Sequence, residues 1–186
     1  MIVQSVFISN CKKMGAYRRS RHSTSRVKID VEKKIVNKTF TRVGRANYFR
    51  KFPKIFDREV YWLRRISNEI SPKFISSSKR VKTITMTYEG VYLTRENMPT
   101  DWEDQIKNIL DILKKCGCNH NDIKPSELLI LDGRIKLIDY GWATSIGSSI
   151  PTNWPRGLGD KFRYGIHNFS DEYSINKSIK WILNND

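Results

Sequence analysis

Residues 120–141 read HNDIKPSELLILDGRIKLIDYG, and this stretch decides the fold. Two short apolar segments, 128–131 (LLIL) and 135–138 (IKLI), flank Asp132-Gly133, a pair suited to the tight turn of a β-hairpin. The hairpin lets Asp122 and Asp139, 17 residues apart, meet in space. Lys124 follows Asp122 by two residues, and Asp139 stands directly before an aromatic residue and a glycine. Phosphoryl transfer requires a carboxylate to orient a hydroxyl and take its proton, a cation for the phosphate, and further carboxylate for Mg²⁺. Asp122, Lys124 and Asp139 can supply one of each.

The flanking sequence supports a folded frame around this stretch. Upstream, Trp102, Ile106, Ile109, Leu110 and Leu113 keep the spacing of a buried helical face, which predicts a helix over about 101–116 capped by Asp101. Downstream, Ile175, Ile179, Ile182 and Leu183 predict a last helix at 171–184. Toward the N-terminus, 26–33 (RVKIDVEK) and 35–42 (IVNKTFTR) read as strands joined at Lys33-Lys34, and 1–9 (MIVQSVFIS) as a further strand. Residues 56–67 read as a helix with Asp57 as its cap and Val60, Leu63 and Ile66 on one face. Residues 81–88 (VKTITMTY) alternate Ile84, Met86 and Tyr88 onto one side of a strand. Residues 141–169, rich in Gly, Ser, Pro and aromatics, read as a long loop.

The 120–141 stretch resembles the protein kinase superfamily, whose signatures are H-R-D-L-K-x-x-N and D-F-G. Here they stand as His120-Asn121-Asp122-Ile123-Lys124-Pro125-Ser126-Glu127 and Asp139-Tyr140-Gly141. The resemblance implies Asp122 as catalytic base, Lys124 as γ-phosphate contact, and Asp139 with Glu127 as Mg²⁺ (or Mn²⁺) ligands. A lysine two residues after the base resembles the Ser/Thr-directed members. The family pairs a strand lysine with a glutamate on the next helix; Lys38 and Glu59, 21 residues apart, match that arrangement, with Lys33 and Lys34 as rival lysines. The stretch Ser20-Arg21-His22-Ser23-Thr24-Ser25-Arg26-Val27 falls where the family has its glycine-rich phosphate loop, which implies Ser20, Ser23 and Ser25 at the phosphates. TMTYEG resembles the segment between lobes, with Thr87 and Glu89 at the adenine edge and Met86 behind it. Asp171 resembles the helix aspartate that anchors the catalytic loop.

Three departures from the family are visible. Glu127 stands where asparagine is usual, the phosphate-loop glycines are missing, and the family's later helices and its A-P-E segment have no counterpart. The implied fold is α+β: a two-lobed, minimal kinase-like domain over 1–186, similar to viral, bacterial-effector and lipopolysaccharide-kinase-like relatives. Its small antiparallel-sheet N-lobe would cover 1–88 and its reduced, mainly helical C-lobe 89–186. The implied activity is transfer of the γ-phosphate of ATP to Ser/Thr hydroxyls of protein. The alternatives are a sugar or small-molecule acceptor on the same fold, and a nucleotide-binding pseudokinase or scaffold. Trp142, Trp154 and Arg156 are the candidate substrate contacts in the 142–169 loop.

Composition narrows the remaining classes. At 39% hydrophobic residues the chain can build a packed core, which argues against disorder. No apolar run approaches the ~18–20 residues that span a bilayer, and the first residues are too short and polar for a secretory signal. Cys11, Cys116 and Cys118 are odd in number and lack zinc-site spacing, which predicts a reducing, cytoplasmic setting. The net charge of +15 is uneven: residues 1–82 hold 22 Lys/Arg against 5 Asp/Glu, whereas 83–186 hold 12 against 14. A basic front half predicts an anionic partner, such as nucleotide phosphates or an acidic protein substrate. Nucleic acid belongs to the same class of partner, though no nucleic-acid motif accompanies the charge.

Overall fold

A computed structural model describes residues 25–40, 55–148, 162 and 170–184. Several predicted features lie outside these residues: the strand at 1–9, Ser20 and Ser23, the connector around Pro53, and Trp154 and Arg156. The architecture is mixed α+β, with antiparallel sheets and three α-helices among the described residues.

Strands β1 (Ser25–Asp30) and β2 (Ile35–Phe40) pair antiparallel, with Val27 opposite Lys38. The turn between them is set locally. Asp30 accepts the Lys33 N–H at 3.0 Å, and Lys34 takes a left-handed φ of 52°. Helix α1 (Ile55–Leu63) follows, then β3 (Phe74–Ser78) and β4 (Thr83–Thr87). The four strands form one sheet in the order β1-β2-β4-β3. β4 is shorter than the expected 81–88: Ile84 and Met86 are buried on one side as expected, but Tyr88 lies beyond the strand and is half-buried. β3 was not foreseen. Its FISSS sequence has weak strand propensity, and it is a strand because the edge of β4 offers partners from Thr83 to Met86.

Two predicted boundaries of α1 are corrected. The helix starts at Ile55, so Asp57 sits in the first turn, favourable to the helix dipole without being a cap. It ends at Leu63, where the Arg65 and Ile66 N–H groups both turn back to the Trp62 carbonyl. Its buried face carries Ile55, Phe56, Glu59, Trp62 and Leu63, so one carboxylate rides on an otherwise apolar stripe.

Past β4 the chain forms the short strand β5 (Val91–Tyr92), helix α2 (Trp102–Lys115) and the short strand β6 (Cys118–Asn119). Asp101 is the residue before α2, but its side chain accepts from Gln105 Nε2 at 2.8 Å instead of capping the backbone. A 3₁₀ turn (Pro125–Glu127) leads into β7 (Leu128–Leu131) and β8 (Arg134–Leu137). Asp132 (φ 50°) and Gly133 (φ 74°) make the expected two-residue turn between them. β5 extends this hairpin to three strands. The loop expected over 141–169 is structured where it is described: a 3₁₀ turn (Tyr140–Trp142) precedes β9 (Thr144–Ser145), which pairs with β6. Helix α3 (Asp171–Asn184) closes the described chain.

One core runs through these pieces, with Trp62, Ile84, Leu113, Leu137, Tyr140 and Ile175 among its members. Each fully buried Leu or Ile in it contributes about 2 kcal/mol. The loop after α1 is tied to the hairpin by the Leu137 N–H, which donates to the Ile70 carbonyl at 2.7 Å. Cys116 and Cys118 carry free thiols, and burial pushes the Cys118 thiol well up. No described helix is long and apolar enough to cross a membrane.

Candidate active site

Several buried charges among the described residues gather where β2, α1 and the hairpin exit meet. Lys38 points from β2 into the interior and is 6% exposed. Its ammonium lies 2.9 and 2.8 Å from the two oxygens of Glu59 on α1, and 2.9 Å from Asp139 Oδ1. Among the three candidate lysines only Lys38 reaches this cluster. Lys33, 75% exposed, pairs with Asp30 in the turn, and Lys34 is an exposed turn residue. Burial works against the charge on Lys38, but Asp139 and Glu59 outweigh it and hold its pKa above the ordinary lysine value. Burial likewise pushes Glu59 up to about 7, with Lys38 opposing.

Asp139 has φ 66° and ψ 65°, a left-handed conformation that a non-glycine residue adopts at a cost of about 1–2 kcal/mol. In this conformation its Oδ1 lies 2.9 Å from Lys38 Nζ. Burial disfavours its ionisation, but Lys38 and Lys124 prevail and bring its pKa down to about 2. The following turn lets α1 come close. A Cβ on Gly141 would lie 2.7 Å from Ile55 Cγ2 and 3.2 Å from Asp139 Oδ1, so only glycine leaves both in place.

A second cluster comes from the loop before the hairpin. Lys124 Nζ lies 2.7 Å from Asp122 Oδ2 and 2.8 Å from Glu127 Oε1. Ser126 Oγ also donates to Glu127 Oε1, at 3.0 Å. Burial lowers the affinity of Lys124 for its proton, yet Glu127, Asp122 and Asp139 together raise it above the ordinary value. Burial pushes Glu127 up, Lys124 opposes, and Asp139 and Asp122 add to the rise. Asp139 thus interacts with both lysines and joins the two clusters. Two lysines face four carboxylates, Glu59, Asp122, Glu127 and Asp139, so carboxylates outnumber ammoniums by two.

The loop holding Asp122 is fixed from three sides. Asp171, at the start of α3, accepts the His120 N–H at 2.5 Å and the Asn121 N–H at 2.8 Å. Burial pushes the Asp171 carboxyl up, and His120 with these two N–H donors opposes the rise. The fully buried His120 ring accepts the Asp122 N–H at Nδ1 (3.3 Å), which assigns the proton to Nε2, 3.0 Å from the Ile138 carbonyl. The ring also meets Tyr140 edge-on at 4.9 Å between centroids. Asn121, at φ 66°, donates from Nδ2 to the Trp142 carbonyl at 3.0 Å and to Thr144 Oγ1 at 2.9 Å. This link was not read from the sequence; the signal for it is that asparagine tolerates the left-handed region better than most residues.

The remaining predicted positions that are described make other contacts. Met86 is buried in the core. The Thr87 N–H donates to the Lys73 carbonyl at 3.1 Å, and the Thr87 hydroxyl bonds the Glu89 carboxylate. Glu89 Oε2 lies 3.8 Å from Lys136 Nζ. Ser25 begins β1 opposite Phe40. Among the described residues, no group of three or more His, Cys, Asp or Glu side chains converges tightly enough to hold a metal ion unaided. Mg²⁺ commonly takes only one or two carboxylates and completes its shell with phosphate oxygens and water. Asp139 and Glu127 are the two carboxylates the family resemblance implies for that role, and each is paired with a lysine here.

No protein-family model matches the chain. The chain is 28% identical over 102 residues to "Cyclin-dependent kinase F-3" of Oryza sativa subsp. japonica, a match covering 41% of this chain and 24% of that protein. The chain therefore spans about a quarter of the length of the curated relative it matches, and the likeness is that of a distant, partial kinase relationship.

Proposed function

We propose that the chain is a protein-kinase-like phosphotransferase that moves the γ-phosphate of ATP to Ser/Thr hydroxyls of a protein substrate. The observation that carries this reading is the bridge of Lys38 between Glu59 and Asp139, beside the Asp122–Lys124–Glu127 cluster. In this reading residues 1–88 belong to an N-lobe and 89–186 to a C-lobe, with the site between them.

Lys38, oriented by Glu59, would contact the nucleotide phosphates. Asp122 would orient the acceptor hydroxyl and take its proton, which needs the carboxylate ionised at working pH. Lys124 would meet the transferred phosphoryl oxygens. Asp139 and Glu127 would hold Mg²⁺, which when bound neutralises charge on the β- and γ-phosphates. The Thr87 carbonyl and the Glu89 backbone would face the adenine edge. Asp171 and His120 position the Asp122 backbone and touch no substrate.

Incubation with labelled ATP, Mg²⁺ or Mn²⁺ and generic protein substrates tests the proposal. Transfer to Ser or Thr that disappears in Asp122→Ala supports it. Transfer to a glycan with none to protein would move the acceptor to a sugar. No transfer to any acceptor, together with no ATP-dependent rise in melting temperature, would overturn it.

A further inference from the structure

We infer that Glu127 is shared between Lys124 and a divalent cation, so that the lysine is free to meet phosphate only while the cation occupies the carboxylate. The inference rests on the phosphotransferase reading and adds a requirement to it. Lys124 is held by two ion pairs of 2.7 and 2.8 Å, and its side chain is only 13% exposed. Its partners Asp122 and Glu127 are 3% and 10% exposed at the side chain. Carboxylates this buried need a counter-charge, and Lys124 supplies it. If the ammonium swung toward a phosphate with nothing in its place, Glu127 would remain buried without a counter-charge, keeping only its bond from the Ser126 hydroxyl.

A divalent cation on Glu127 removes that obstacle, because it replaces the counter-charge as the lysine leaves. An amide at this position would ligate a metal through its carbonyl and, being uncharged, hold the ammonium much more weakly, so the competition is strong only with a carboxylate. The consequence is a coupling between two cations through one side chain, with Lys124 weakening metal binding and metal loosening Lys124.

Isothermal titration of Mn²⁺ into the full chain with saturating ADP tests this. ADP lacks the phosphate that Lys124 would meet, so removing the lysine removes no nucleotide contact. Lys124→Met is expected to tighten Mn²⁺ binding about threefold to tenfold, and Glu127→Gln to weaken it by about tenfold. In the Glu127→Gln background, Lys124→Met is expected to have little effect. Lys124→Gln, which keeps a polar group between the carboxylates, is titrated in parallel so that misfolding of the methionine variant does not decide the outcome. Unchanged Mn²⁺ affinity in both lysine variants overturns the inference, as does an equal gain with and without Glu127, which would be general electrostatics. If wild-type protein binds no Mn²⁺ with ADP, both this inference and the phosphotransferase reading fall. Binding that ignores Lys124 removes the inference alone.

Discussion

The ammonium of Lys38 sits 2.9 and 2.8 Å from the two carboxylate oxygens of Glu59, joining a strand to a helix across 21 residues of sequence. Both side chains are almost wholly buried, so the pair is an electrostatic unit whose halves cannot be removed separately without penalty. Lys38→Met is expected to destabilise the fold by about 3–5 kcal/mol, because it strands Glu59 among apolar side chains. Replacing both, as Lys38→Met with Glu59→Leu, is expected to restore most of that loss. Urea denaturation of the three proteins checks the order. Phosphotransfer should stay absent in the double variant, which separates the structural use of the pair from its chemical use.

Asp139 gives the site a defined response to acid. Its pKa in the folded chain is about 2, below the ordinary 3.8, so the folded state holds fewer protons than the unfolded state as pH falls. The stability it contributes is therefore full above about pH 3.8 and is lost as pH drops toward 2. The side chain is 35% exposed, and water screens the pair with Lys38, so the contribution is about 1 kcal/mol. Asp139→Asn is expected to be less stable than wild type at pH 5 and nearly equal to it at pH 2, as read from urea midpoints. A constant difference across that range would mean that the ion pair is not the source.

Asp171 holds two backbone N–H groups of the loop that carries Asp122, at 2.5 and 2.8 Å. Hydrogen bonds to a charged acceptor contribute about 1.5–3 kcal/mol each, and the donors here are buried. Asp171→Ala is expected to lower stability by about 3 kcal/mol and to reduce kcat with little change in the KM for ATP, because the loop loses its position while the nucleotide contacts remain. Asp171→Asn, which keeps one acceptor oxygen, should recover part of both. Parallel thermal melts and steady-state kinetics distinguish this from a purely structural role, in which kcat per folded molecule would not move.

The sequence signals that proved legible were those with local physical causes. The Asp132-Gly133 turn follows from backbone sterics, and α2 and α3 follow from apolar spacing long enough to be unambiguous. Lys38, Glu59, Asp122, Lys124, Glu127 and Asp139 were expected together from the family resemblance, and in the structure they form two ion-paired clusters. What could not be read depends on partners distant in sequence. β3 needs the edge of β4, and the two-residue strand β9 exists only against β6. The Asn121 link to Trp142 and Thr144 spans more than 20 residues and has no local pattern. The early end of α1 was also hidden, because Ile66 continues the apolar spacing and is buried although it lies beyond the helix.

Gly141 offers the sharpest steric test of how closely α1 is packed on the turn after Asp139. A methyl group there would press on Ile55 Cγ2 at 2.7 Å and on Asp139 Oδ1 at 3.2 Å. Overpacking of this kind costs about 1–3 kcal/mol. Gly141→Ala is therefore expected to lower stability by that amount and to reduce phosphotransfer, since the displaced Asp139 would no longer meet Lys38. Ile55→Ala removes the methyl group that is struck, at the usual cost of a buried side chain. The two changes share one contact, so their effects should not add. The double variant is expected to be more stable than the sum of the single losses predicts, by about 1 kcal/mol in urea denaturation. Strict additivity would mean that Gly141 is needed for its backbone and not for the space it leaves beside Ile55.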